Sequence, residues 1–424
     1  MRGLMRLLRG LSLDLRPLKA SRDFRLLFMG QFVSFAGSMI TYVAVPYQVY
    51  TLTKSTLAVG LLGLAELLPL LVLAFVGGAL ADAADRRRLV LLTEATLAVI
   101  SALLAANALL PRPSLAAIYV LAGTAAGVAG LQRPAREAMV PRLVDRELIP
   151  AAAALSSVRG CVGMIGGPAV GGLLIASTGL PATYMVDVAS FLVSLATLFM
   201  MSTVPPPTGA ARPSLRSVLE GFRYARSRQE LLGTYLVDMV AMFFGMPQAL
   251  FPALAQTFGG GRALGLLYAA PAAGALLASL ASGWTPLVRR HGLAIAIAAT
   301  LWGLSIVVFG LVSGLGPALV FLGLAGAADA VSGLFRQTIW NQTIPDAVRG
   351  RLVAIEQVSY LSGPLLGNVE SGLVAGFMGV RFSIVSGGVF CVIGTLFVAA
   401  ALPVFMAYDS ERPPAPRAVA GGSP

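Results

Sequence analysis

Residues 56–88 read TLAVGLLGLAELLPLLVLAFVGGALADAADRRR, and this stretch decides the fold. From Thr56 to Ala81 it holds a single charge, Glu66. As a helix the run rises about 39 Å at ~1.5 Å per residue, enough to cross a hydrocarbon core of roughly 30 Å. No water satisfies backbone groups at that depth, so the run must be helical. It ends in Asp82, Asp85, Arg86, Arg87 and Arg88, charges suited to a membrane surface.

The rest of the chain repeats the pattern. Of 424 residues, 57% are hydrophobic and 12% charged, against roughly 25% charged in a soluble domain. The net charge of +12 lies between the apolar blocks, with none of the aromatic motifs of nucleic-acid binders, so no nucleic acid is expected as a partner. Cys161 and Cys391 fall inside apolar blocks, which argues against a disulfide framework or a metal site. No Ser/His pair, HExxH, P-loop or Cys cluster appears, and the single histidine, His291, falls in a solvated loop. The chain is expected not to be an enzyme and to use no cofactor.

Apolar blocks place spans near 24–50, 56–82, 88–110, 114–133, 148–176 and 181–203, then near 231–257, 263–286, 293–312, 317–340, 352–376 and 381–407. The expected fold is all-α, twelve transmembrane helices in two pseudo-symmetric six-helix bundles. Its parts are a basic N-terminal segment (1–23), a first bundle (24–203), a linker (204–230), a second bundle (231–407) and a disordered tail (408–424). Within the linker, Arg216, Arg223, Arg226 and Arg228 alternate with Leu215, Val218, Leu219 and Phe222, a basic amphipathic helix suited to a membrane surface. Of the 31 Lys and Arg, 26 fall in segments on one side of these spans and 4 on the other, with Arg159 inside a span. The positive side is cytoplasmic, which puts both termini in the cytoplasm.

The halves resemble each other. Val45-Pro46, Gly60-Leu61-Leu62 and Gly78 recur as Phe251-Pro252, Gly265-Leu266-Leu267 and Gly283, and Arg133 and Pro141 recur as Arg336 and Pro345. A parallel repeat of this kind places a site at the interface of the halves, near the midplane. Span 5 contains Gly163-Met164-Ile165-Gly166-Gly167-Pro168-Ala169-Val170-Gly171-Gly172. Gly163, Gly167 and Gly171 make one smooth face for close packing, and Pro168 bends the helix, as a pivot would require.

Gly77 to Arg88 resembles the cytoplasmic signature of the major facilitator superfamily, with Gly78, Asp82, Asp85, Arg86 and Arg87 in its gating loop. Ala83 stands where that signature usually has a basic residue. Asp85 stands where it usually has Gly, a change familiar in the enterobactin-exporter-like branch, which also includes macrolide-efflux-like proteins. The span 5 motif, with Gly172 as its last residue, matches the superfamily's antiporter motif. Val43-Ala44-Val45-Pro46, Leu250-Phe251-Pro252-Ala253-Leu254 and Pro345-Asp346-Ala347-Val348-Arg349-Gly350-Arg351 extend the resemblance along nearly the whole chain. It implies a proton-driven exporter of an amphipathic small molecule in the bacterial inner membrane.

Ionisable residues at membrane depth point to function. Glu66, Arg159 and Asp329 lie 10, 11 and 12 residues into their spans, roughly 15–18 Å deep at ~1.5 Å per residue. In the superfamily fold all three face the cavity. Glu66 or Asp329 is the expected proton carrier and Arg159 the expected anion-binding group, the alternative being a fixed Glu66–Arg159 ion pair. Asp238 and Glu370 complete the candidate pathway; Asp187 reads as structural. The expected partners are an amphipathic substrate, protons and membrane lipids, with the protein a monomer. The alternatives are a broad drug-efflux pump and, further off, a transport-inactive sensor or lipid-handling protein.

Overall fold

The computed structural model describes the backbone at residues 13–83, 85–202 and 223–412, and the side chains there except 75–83, 346–351, 353–359 and 361. The basic N-terminal segment before residue 13, most of the amphipathic linker and the tail beyond 412 lie outside the described residues.

Among the described residues twelve long helices follow one another: α1 (Arg22–Thr53), α2 (Thr56–Ala83), α3 (Arg86–Leu109), α4 (Leu115–Leu143), α5 (Ile149–Ser177), α6 (Gly179–Phe199), α7 (Gln229–Phe244), α8 (Gly261–Leu280), α9 (His291–Leu311), α10 (Leu315–Thr343), α11 (Asp346–Met378) and α12 (Val380–Ala401). Their starts are readable locally. Ser21 caps α1 by accepting from the Phe24 amide at 3.1 Å, and Ser114 caps α4 through the Ala117 amide at 3.3 Å, each satisfying an amide that has no partner inside the helix. Leu68, Val72, Leu92, Leu277 and Phe397 point outward and exposed, as a lipid-facing surface requires.

The packing repeats itself. In the first half α1 packs on α5 and α6, α2 on α4, and α3 on α4 and α6. In the second α7 packs on α11 and α12, α8 on α10, and α9 on α10 and α12. Adding six to each helix number turns one set into the other. Two seams join the halves, α2 with α11 and α5 with α8, and the same rule relates these as well.

The eighth span, predicted over 263–286, ends at Leu280 and is followed by a 3₁₀ turn, Ser282–Leu287, and three further differences from the sequence expectation bear on the packing. The fourth span, predicted to stop at Arg133, runs through Pro134 and Pro141 to Leu143. Proline is tolerated in membrane helices because neighbouring groups satisfy the freed backbone. The seventh, predicted continuous over 231–257, stops at Phe244 and resumes as a 3₁₀ turn, Gln248–Leu250, and a short helix, Phe251–Phe258. The break is held by side chains: Trp302 Nε1 donates to the Gly245 carbonyl at 2.8 Å, and Asn368 Oδ1 accepts from the Ala249 amide at 3.0 Å. Gly259 and Gly260, at φ 116° and 76°, turn the chain from there into α8, a backbone state open mainly to glycine. Third, His291 is no solvated loop residue. It is 5% exposed at the start of α9, between the rings of Phe335 and Tyr408. The segment after α12 folds back over this end of the second half, burying Phe405 and Tyr408 and pairing Arg289 with Glu411 at 3.0 Å.

Candidate functional site: the interface between the halves

Among the described side chains, the contacts that join the halves lie at the end of the molecule away from the chain termini. Thr56 Oγ1 donates to the Gly372 carbonyl at 3.2 Å, and Tyr42 donates to Gln248 Oε1 at 2.5 Å. Gly60 approaches Asn368 and Gly372, and Gly63 approaches Leu365. Small residues let backbones come this close.

The span 5 motif works on two faces. Gly163, Gly167 and Gly171 pack against Phe35, Met39 and Ile40 of α1, inside the first half. The seam with α8 is made instead by Gly172, against Gly261 and Gly265, and by the Pro168 carbonyl, against Gly265. The smooth stripe read from the sequence is therefore an internal packing surface, and the contact with the other half sits one residue beyond it.

The charged loop between α2 and α3 also behaves differently from its reading. Asp85 caps α3, accepting from the amides of Arg87 at 2.9 Å and Arg88 at 3.3 Å. Arg86 is 6% exposed and donates to the Ala138 carbonyl of α4 at 3.0 Å. Arg87 reaches the carbonyls of Leu198 and Phe199, at 2.7 and 2.8 Å, and so caps the C-terminal end of α6 where the helix dipole favours a cation. Only Arg88 extends outward. The three arginines do not all face the membrane surface: two of them fasten helix ends. Gly78 and Asp82 lie within α2, their side-chain surroundings outside the described residues.

At the centre, Glu66 has no hydrogen bond or ion pair among the described residues. Tyr42 and Tyr268 lie within electrostatic reach of it and meet edge to face at 5.5 Å. Asp329 is held from its own helix by Arg336, at 3.4 Å, and Arg336 also pairs with Asp238 of α7. Arg159 does not pair with Glu66. Its Nε is buried without a hydrogen-bond partner, and the charges that act on it are Arg136 and Glu137. Glu370, on α11, has no ion-pair partner among the described residues. Asp187, 1% exposed, accepts from Thr41 at 2.6 Å, Ser101 at 2.7 Å and Ser190 at 3.3 Å, holding α1, α3 and α6 together away from the interface.

Two residues escaped the sequence reading. Glu94, 1% exposed on α3, accepts from Gln31, Ser34 and Gln132. A lone carboxylate within an apolar block was the available signal. Arg136, which donates to Gln31 Oε1 at 3.3 Å, lies beyond the predicted end of the fourth span at 133 and inside the helix that the structure shows.

Solved structures of transporters share this architecture. The nucleoside transporter NupG matches with a TM-score of 0.70 at 13% identity, over 89% of this chain and 98% of its own. A bacterial homologue of the human lysosomal transporter Spinster, captured inward-facing and unoccupied, matches at 0.72 and 17%, over 90% and 97%. The fold is that of a two-bundle membrane transporter. The sequence carries the assignment further. The enterobactin exporter EntS of Shigella boydii serotype 18 is 33% identical over 394 residues, covering 91% of this chain and 93% of the exporter, and that of Citrobacter koseri is 32% identical over 388. The family model described as transmembrane secretion effector matches residues 13–418. The chain belongs to that family, in the enterobactin-exporter-like branch of the major facilitator superfamily. It is a multi-pass membrane transporter of small molecules and not an enzyme.

Proposed function

We propose that the protein exports an amphipathic small molecule of the siderophore type from the cytoplasm, in exchange for protons, by alternating access across the two seams. The observation that carries the reading is Glu66, a carboxylate ten residues into α2 with no ion pair among the described residues, close to where the halves meet. Such a group is costly at membrane depth, and its presence there points to a role in transport. With the termini cytoplasmic, as the distribution of Lys and Arg favours, the seam contacts among the described side chains lie towards the outer side. Glu66 then stands on their cytoplasmic side, where a substrate arriving from the cytoplasm would meet it. Asp329 exchanges its proton against the hold of Arg336, and Arg159 offers a guanidinium to an anionic group. Glu370 lies on the outer part of the path. One chain supplies both halves of the site, so a monomer surrounded by lipid is sufficient.

The test is efflux from proteoliposomes under an imposed pH gradient. Glu66→Gln is expected to uncouple transport from the gradient and Asp329→Asn to weaken the coupling; undiminished coupling in both would remove them as carriers. The cluster of Tyr42, Phe251 and Tyr268 rings also suits a broad drug pump. Resistance to many unrelated compounds on expression would favour that second reading.

A further inference from the structure

The two halves carry the same residue at the same place and treat it differently. The counterpart of Arg336 by helix position is Arg136 and not Arg133, which the sequence repeat suggested: Arg136 and Arg336 each stand 21 residues after the first residue of a 29-residue helix, α4 and α10. Arg336 is neutralised by Asp238 of α7 and Asp329 of its own helix. Around Arg136 an amide takes the place of the acid: Gln31 of α1 stands nine residues after the first residue of its helix, as Asp238 does in α7. The nearby carboxylate, Glu94, is occupied by the side-chain amides of Gln31 and Gln132, at 2.8 and 3.0 Å, and by Ser34 Oγ at 3.0 Å. Glu137, the next residue, is engaged by Arg133 at 2.9 Å. Among the described residues, neither Arg136 nor Arg159 has a carboxylate within ion-pair distance.

Counted from the helix ends nearest the termini, Glu94, Gln31 and Arg159 lie 8, 9 and 10 residues in, and Arg136 lies 7 residues in. At ~1.5 Å per residue this is one layer, about 10–15 Å deep, on the way from that end towards Glu66. A buried guanidinium donor left open, near a second guanidinium whose neighbouring carboxylates, Glu94 and Glu137, are not at ion-pair distance, is unfavourable unless an acceptor arrives. Guanidinium forks match oxyanions of carboxylate geometry.

We infer that Arg136 and Arg159 form an anion-binding subsite on the wall of the first half, which takes the oxyanion end of the exported molecule before it reaches Glu66. Gln31 and Glu94 position Arg136. The inference rests on the export reading and adds to it the charge class of the substrate and the end that enters first.

Two experiments separate the subsite from export itself. In the first, Ser156, one turn before Arg159 on the same helix face, is replaced as Ser156→Cys in a chain carrying Cys161→Ala and Cys391→Ala. The purified protein is treated with an anionic (ethylsulfonate) and a cationic (ethyltrimethylammonium) methanethiosulfonate. Relative to a free thiol, the anionic reagent is expected to react faster. Arg136→Gln and Arg159→Gln should each lower the anion-to-cation rate ratio about five- to tenfold, because each removes a unit charge at short range in a poorly screened site. A ratio that neither change moves, or no reaction with either reagent at position 156, overturns the subsite. In the second, proteoliposomes transport a fluorescent amphiphile as its carboxylate and as its methyl ester. Arg136→Gln with Arg159→Gln should slow the carboxylate at least tenfold more than the ester, and Arg136→Lys should recover only part of that selectivity. Equal slowing of both overturns the subsite. If the unaltered protein moves neither compound the export reading fails, and the thiol ratio alone decides the subsite.

Discussion

The hydroxyl of Tyr42 on α1 donates a 2.5 Å hydrogen bond to Oε1 of Gln248, in the 3₁₀ turn that interrupts α7. A side chain of the first half is thereby tied to the irregular stretch that follows α7 in the second. The Tyr268 hydroxyl donates to the Gln248 carbonyl at 3.3 Å, and its ring meets that of Tyr42. The tie closes one end of the interface. Tyr42→Phe keeps the ring and removes the bond, a loss of about 1 kcal/mol. In a cysteine-free chain with spin labels at Lys54→Cys and Arg262→Cys, this should move the population about fivefold towards longer distances, since 1.4 kcal/mol is tenfold. An unchanged distance distribution would mean the bond has no part in closure.

Gly172 and Gly166 make a matched pair on α5. A Cβ at Gly172 would lie 2.6 Å from the Gly265 amide nitrogen, a backbone atom that cannot swing aside, whereas nothing lies within 4 Å of a Cβ at Gly166. Gly172→Ala is expected to cut transport by more than tenfold, with Gly166→Ala within about twofold of the unaltered protein; overpacking a tight contact commonly costs about 1–3 kcal/mol. Equal activity of the two variants would show that the seam tolerates separation.

Arg336 holds two carboxylates, so removing it leaves Asp238 buried without its partner. Arg336→Gln should destabilise the protein by about 3–5 kcal/mol, and Asp238→Asn in the same chain should recover part of the loss. Thermal unfolding of the single and double variants in detergent measures the coupling. Additivity within about 0.5 kcal/mol would show that the two do not act together.

Asp85 accepts from two amides at the first turn of α3. Asp85→Ala should cost about 1 kcal/mol, while Asp85→Asn, which keeps the acceptor, or Asp85→Gly should cost only a few tenths. A fall in unfolding temperature for all three alike would place the effect of Asp85 elsewhere, in its charge or its neighbours.

How far the sequence carried the reading depends on the kind of signal. Glu66, Arg159 and Asp329 were visible because a charge in an apolar block is costly wherever it points. Their partners were not visible, because partners come from other helices. Arg159 and Glu66, plausible as a pair from their similar depth, do not meet, while Asp329 shares Arg336 with Asp238. Arg136 falls outside the predicted fourth span because the helix continues past 133 through Pro134, which costs it only a missing hydrogen bond. The break in α7 has proline and glycine around it, but so do helices that stay whole.

By itself the sequence determined that this is a chain of twelve lipid-crossing helices in two repeated sets, and which family they belong to. Those conclusions rest on quantities summed along one strand of covalent chain: length, hydropathy, charge order and motif spacing. Only the tertiary structure decided which faces of α5 meet α1 and α8, that Arg87 closes the end of α6, and that Gln31 stands beside Arg136 where Asp238 stands beside Arg336. Helix rotation and tilt set those neighbours, and both arise from packing between residues far apart in the chain, which no local pattern encodes.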